Sequence, residues 1–338
     1  MGMFTSSGTQ ACRRSSVAFC VPAVILLAAA TARADSLATI SLSDEPDSPA
    51  QPTASASSPQ RPQLPDYIAT VDLTATVMLP AGLDNSPAEY AASKAGFEFN
   101  VIKPYADGSA FGVGLSSAAT FYSFTDAQTL LGGGDPWGTV GTHGIQAFYS
   151  APIRDGWSYL VGAKVQSSGE LGADLGDTLT YGGLVGFKYK VSESLDLGLA
   201  VAVSTRLEDS TLFVPVPTIT WKIDDQWSLG SGGESGGGGL SLRYSPNQQW
   251  TYSLRAGYES ERFRLDDEGP NPGGIGEESS VPISLGATWN YDQQGSAFVR
   301  VIVPAWRQLR ADDPNGNTIF EHDADITPSF QFGIEGRF

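Results

Sequence analysis

The chain has 338 residues, 41% of them apolar and only 17% charged, with 39 glycines. So much Gly argues against a helical bundle, because Gly weakens helix interiors, and the apolar fraction argues against wholesale disorder. The formal charge of −17 argues against nucleic acid as a partner, since phosphates repel an acidic chain, and two histidines leave little for metal or acid–base chemistry.

Arg13 and Arg14 precede an apolar run from Val17 to Ala30, followed by Thr31-Ala32-Arg33-Ala34. A positive start, a short apolar stretch and an A-x-A site predict a cleavable secretory signal over 1–34; the run is too short for a stable spanning helix. Cys12 and Cys20 both lie in it, so the chain after cleavage is expected to have no thiol or disulfide chemistry. Residues 35–65 are rich in Pro, Ser, Ala and Gln, which predicts an extended, disordered linker.

From about residue 66 to the end, the hydrophobic period is two. Leu179, Tyr181, Gly183, Val185, Phe187, Tyr189 and Val191 share one face, with Thr178, Thr180, Gly182, Leu184, Gly186, Lys188 and Lys190 on the other. The same alternation runs through 195–204, 250–259 and 281–291. Each run is about ten residues, the length of a tilted strand crossing a bilayer. Short turns fall at Tyr105-Ala106-Asp107-Gly108, Arg154-Asp155-Gly156, Ser192-Glu193-Ser194, Asp224-Asp225-Gln226, Ser245-Pro246-Asn247-Gln248 and Asp292-Gln293-Gln294-Gly295. Longer Gly- and acid-rich segments alternate with them at 80–93, 125–142, 168–177, 206–211, 232–238, 266–278 and 310–323. Six turns and seven loops predict an all-β, closed antiparallel up-and-down barrel over 66–338 with about fourteen strands, twelve being the alternative. Closure is required because lipid offers the backbone no hydrogen bonds.

Trp157, Trp221, Trp227, Trp250 and Trp289, with Tyr189 and Tyr291, all stand beside short turns. That placement fits an aromatic girdle at one membrane interface, with the ring in the boundary and the polar atom toward water. The chain ends with Phe330, Phe332, Ile334, Gly336 and Phe338 alternating with Gln331, Gly333, Glu335 and Arg337. This end resembles the terminal strand of bacterial outer-membrane β-barrel proteins, whose last residue is commonly Phe; Gly336 departs from the aromatic often found there. In size, linker and strand texture the chain is also similar to an uncharacterised outer-membrane barrel family of unknown function. The resemblance implies a porin-like protein in outer-membrane lipid, with the linker on the periplasmic side. It also implies that Phe330, Phe332, Ile334 and Phe338 are the signal read by the barrel-insertion machinery.

By parity the lumen receives Asp72, Glu98, Lys164, Lys188, Lys190, Arg206, Lys222, Arg243, Arg255, Glu259, Glu261, Arg300, Glu335 and Arg337. Of these, Lys164, Lys188, Lys190, Arg243, Arg255, Glu259 and Arg300 are the candidate selectivity residues of a passive channel for small solutes or ions. The competing expectation is that opposite charges pair across the lumen and plug it, leaving a non-conducting structural or surface-binding barrel. A third reading is a barrel hydrolase using His143 or His322, although the Ser and Gly spacing of barrel lipases is missing around His143. The carboxylates Asp266, Asp267, Glu268, Glu277, Glu278, Asp312, Asp313, Glu321, Asp323 and Asp325 are expected in solvated outer loops. They form no calcium-loop pattern. Gly232–Gly239 is not followed by the Lys-Ser/Thr of a phosphate loop. No cofactor or metal is implied, and only the linker precedes the barrel, too little for a receptor plug.

Overall fold

The structure, a computed structural model, describes residues 66–338 apart from 132, 209 and 232–237. The expected signal and linker lie outside the described residues, as does most of the Gly-rich run. The chain forms a closed antiparallel barrel of fourteen strands. They are β1 (Ile68–Met78, continued by Ala81–Gly82), β2 (Glu89–Pro104), β3 (Ala110–Thr125), β4 (Thr139–Arg154), β5 (Trp157–Glu170), β6 (Leu179–Lys190) and β7 (Leu195–Thr205). Then follow β8 (Thr211–Lys222), β9 (Trp227–Ser231), β10 (Gly239–Tyr244), β11 (Trp250–Gly257 and Glu259–Arg264), β12 (Ile275–Asn290), β13 (Gly295–Asp312) and β14 (Thr318–Asp323 and Ser329–Arg337). Each strand pairs with the next, and β14 closes on β1 from Thr70↔Arg337 to Met78↔Ser329. Closure satisfies the two edges that a sheet in lipid would otherwise leave open.

Alternation sets which face is which. Ile145, Val185, Leu199 and Leu285 are exposed on the outside, while Glu98, Asn100, Thr142 and Arg300 are buried inside. The short turns use local polar chemistry. Asp155 and Gly156 both have positive φ (52° and 80°), the two-residue hairpin geometry that Asp-Gly adopts readily. At other turns a side chain accepts from a backbone N–H two or three residues on: Asp107 from Ser109, Asp224 from Gln226 and Trp227, Asn247 from Gln249 and Trp250, Asp292 from Gln294.

The opposite end differs from the sequence expectation. Part of the expected loop sequence is strand: 275–278 opens β12, 310–312 ends β13 and 318–323 opens β14. Two irregularities bend this region. β11 is interrupted at Tyr258, and the β12–β13 register shifts between Ser280 and Pro282. Below the interruption β11 pairs with β10 up to Gly239↔Gly257. Above it, Glu259–Arg264 pairs with β12, and Arg264 makes a parallel bridge to Gly169 of β5, a strand six places away around the barrel. The upper β11–β12 hairpin therefore crosses the lumen instead of continuing the wall.

An apolar core forms inside this mouth. Trp137, 1% exposed, stacks on Phe320 (centroids 5.9 Å) and meets Phe263 (5.4 Å) and Phe124 (5.5 Å) edge to face. Met78, Leu83, Tyr90, Leu130, Leu265 and Leu309 pack around them. Burial of this kind in a barrel interior draws the loops together as it would in a soluble core.

Candidate functional site: a charged chamber beneath the crossing hairpin

Below the aromatic core lies a chamber of about 220 Å³, bounded by β1–β5 on one side and by the crossing hairpin, β13 and β14 on the other. Lys94, Lys164, Arg262, Arg307, Glu259, Glu261 and Glu278 line it, among Thr, Ser and Gln side chains. Lys94 on β2 reaches across to Glu261 on β11 (Nζ–Oε2 2.6 Å), and Thr142 on β4 donates to the other oxygen of Glu261 (3.1 Å). Glu278 accepts from the Tyr122 hydroxyl (2.9 Å) and the Tyr90 hydroxyl (3.4 Å), and pairs with Arg307 (3.3 Å). Lys164 sits in the field of Glu98 and Glu261. Buried charges persist only when paired and hydrogen-bonded, and here each of the two glutamates has several partners on different strands.

The hairpin above is pinned the same way. Arg262 binds Glu277 (2.7 Å), Glu208 (3.1 Å) and Asp312 (3.3 Å). Arg264 donates to three carbonyls, Leu207, Gly273 and Asp177, from three different segments. Glu170 accepts from the backbone N–H of Asp266 (3.0 Å) and of Gly138 (2.5 Å), tying the hairpin tip to the β3–β4 loop. Thus Glu277, Glu278 and Asp312, expected among solvated outer carboxylates, lie inside the barrel mouth with cationic partners. The side chain of Asp312 is only 2% exposed. The physical reason is the inward bend of β11–β12, which carries Glu277 and Glu278 into the lumen and brings Arg262 against Asp312 at the end of β13.

The candidate lumen residues divide into groups. Lys164 and Glu259 line the chamber; Glu259 also joins Arg255 and Arg300 around a smaller cavity of about 70 Å³ lower in the lumen. Arg300 donates to Gln331 (2.7 Å) and lies over the Phe298 ring, close to Gly286, where a Cβ would stand 2.8 Å from Arg300 Cγ. Lys188 pairs with Asp196 (2.9 Å) on the neighbouring strand, and Arg243 is half-buried on β10. Lys190 is exposed at the turn end, beside Gly156. At that end a wide vestibule of about 610 Å³ is lined by Gln248, Gln249, Asn290, Gln293, Gln294, Glu335 and Arg337 among others.

Outside, the expected girdle residues Trp157, Tyr189, Trp221, Trp227, Trp250, Trp289 and Tyr291 are all exposed next to the short turns. Trp157 packs on Tyr189 (4.9 Å) and Trp289 on Tyr291 (5.8 Å). Phe330, Phe332 and Ile334 face outward on β14, and Phe338 just past its end is exposed. His322 is half-buried and bonded to the carbonyl of Asp84 (2.8 Å).

Parity missed Lys94, Arg262, Glu278 and Arg307. Lys94 was within reach, being two and three inward steps from Glu98 and Asn100 on β2. Arg307 was not, because the shift at Ser280/Pro282 exchanges the faces of β13, turning Arg307, Leu309 and Ala311 inward.

No family model matches the chain, and no curated protein matches it. Solved structures do. A KdgM porin is 10% identical, covering 80% of this chain and 99% of its own (TM-score 0.35). A Pseudomonas aeruginosa FadL homologue is 12% identical, covering 81% and 90% (TM-score 0.46). The P. putida toluene transporter TodX is 9% identical, covering 81% and 90% (TM-score 0.42).

Proposed function

We propose that this chain is an outer-membrane transport barrel, closed at one mouth by the β11–β12 hairpin and selective for small polar solutes that carry charge. The observation that carries the reading is the chamber of about 220 Å³ walled by both signs of charge beneath that hairpin. Rings of fixed charge and hydroxyls in a narrow passage favour solutes that can replace the internal partners, and they disfavour apolar ones. Lys164, Arg255, Glu259 and Arg300 would act on the solute within the lumen. Lys188, Lys190 and Arg243 would set the field toward the wide vestibule.

An outer-membrane location is supported by the exposed apolar band, the aromatic girdle at the short-turn end and the alternating C-terminal strand. In this reading the segment 1–34 directs export, 35–65 trails from the periplasmic side, and the insertion machinery reads Phe330, Phe332, Ile334 and Phe338. The crossing hairpin also favours a second reading, a barrel that never conducts.

Uptake into proteoliposomes separates the two. The transport reading expects small zwitterions to enter faster than apolar aromatics of equal size, with Lys164→Glu changing the preference between anionic and cationic solutes. Entry of none of them, from a barrel shown to be folded, supports the non-conducting reading.

A further inference from the structure

The outer wall carries a feature the lumen does not explain. His143 of β4 stands exposed on the lipid-facing surface, and its Nδ1 is hydrogen-bonded to Ser117 Oγ on the adjacent β3. Twenty-six residues separate the two in sequence. Their strands place them directly opposite, and on the other side His143 opposes Ser167, whose hydroxyl bonds Thr178 (2.7 Å). The second ring nitrogen, Nε2, lies 3.2 Å from the place of a Cβ on Gly141, so glycine there leaves the ring its room.

Height along the wall is informative. Below this row the outward residues of β4 are Ile145, Ala147, Tyr149, Ala151 and Ile153, and those of β5 are Val165, Ala163, Val161, Tyr159 and Trp157. His143 is ten residues from Ile153, which lies at the level of the Trp157–Tyr189 girdle pair. At about 3.3 Å per residue and a tilt near 40°, that places His143 about 25 Å above the girdle, the far edge of an apolar band of about that height. This is where the acyl esters of a leaflet meet its headgroups. An ionisable residue facing lipid is costly, and such residues mark function more often than packing.

We propose that Ser117 and His143 form a nucleophile–base pair that cleaves acyl esters of glycerophospholipids reaching the barrel wall from the membrane. With the Nε2–H tautomer, the Ser117 hydroxyl donates to Nδ1. As Oγ bonds to the ester carbonyl carbon, its proton passes to Nδ1. The ester C–O bond breaks, and the imidazolium returns that proton to the leaving lysophospholipid oxygen. Water, giving a proton to His143, then adds to the acyl carbon; the C–Oγ bond breaks, the imidazolium returns that proton to Ser117 Oγ, and the fatty acid leaves. The phospholipid brings its own phosphodiester to accept the Nε2–H of the transient imidazolium. Backbone N–H groups around the pair are committed to the β3–β4–β5 ladders, so the wall holds few donors for the tetrahedral oxyanion and turnover is expected to be slow.

A covalent probe suits a slow site. The full chain, folded in detergent, is treated with a long-chain alkyl fluorophosphonate and the adduct mapped by peptide mass spectrometry. In parallel, fatty-acid release from phosphatidylethanolamine mixed micelles is followed. The proposal expects an adduct on Ser117, absent in Ser117→Ala, and a labelling rate reduced roughly a hundred-fold or more in His143→Asn. It expects fatty-acid release to fall in step with labelling. Both variants change outward-facing groups that pack in no core, so heat-modifiable gel mobility should show folded barrels. No adduct on Ser117 in the folded native chain, or equal labelling of native and His143→Asn, overturns the proposal. Neither result bears on transport through the lumen.

Discussion

The two ends of this barrel are built by different physics. At the short-turn end each connection is solved locally. Asp107, Asp224, Asn247 and Asp292 hold N–H groups two or three residues away, and Trp157 beside its turn packs on Tyr189 of the adjacent strand. The loop tips at the other end use the same local bonds, as Asp313 does with Asn317, but what closes that mouth is long-range. Lys94 meets Glu261, Tyr122 meets Glu278 and Glu170 meets Asp266, pairs separated by 167, 156 and 96 residues. The lesson is that a barrel's wall follows from short-range rules, while what fills its mouth depends on contacts that form only after closure.

Breaking the long-range end should have the largest effect. Trp137→Ala removes the centre of the aromatic core and is expected to cost about 3–5 kcal/mol. In hydrogen exchange, protection should be lost across 259–280 and kept at 155–165. Arg262→Ala removes the cation that Glu208, Glu277 and Asp312 share; Arg206 still faces Glu208 and Arg310 still faces Asp312, so the loss falls mainly on Glu277 and should cost about 2–3 kcal/mol in the same region. If exchange instead rises uniformly around the barrel, the hairpin is not a separate unit.

At the short-turn end a smaller effect is expected. Asn247→Ala removes the acceptor for two backbone N–H groups, and should cost about 1 kcal/mol in urea titrations without altering the hairpin's exchange. The smallest effect is a pH response confined to surface turns. Hydrogen bonds from the Asn317 side chain and backbone hold the Asp313 carboxyl below its usual value, and those from Ser109 do the same for Asp107. A lowered native pKa gives stability that is present above the ordinary carboxylate value and lost as pH falls through the native one. Loop 313–317 and turn 105–109 should therefore loosen only in acid below about pH 4. NMR titration of the two carboxyls checks this; midpoints at or above the ordinary aspartate value would contradict it.

The same contrast explains what was legible in the sequence. Strict alternation and Asp-Gly or Asn-containing turns gave the strand number and the outward face, because a period of two and turn chemistry are local properties. The acidic segments around 266–278 and 310–323 looked like solvated loops because charge alone does not say which cation will meet it. Glu278 acquires Tyr90, Tyr122 and Arg307 only when β2, β3 and β13 surround it. Trp137 was hidden in a Gly-rich stretch with no periodicity. The Ser117–His143 contact was equally unreadable, since which residues oppose each other depends on the β3–β4 register and not on sequence spacing.

The most direct test of the central claim is single-channel conductance in planar bilayers, comparing the native barrel with Arg262→Ala. If the β11–β12 hairpin closes the passage, the native chain should show rare, brief openings and the variant frequent ohmic steps of the same unit size. Equal open probability in the two, with both shown to be inserted, would contradict the account.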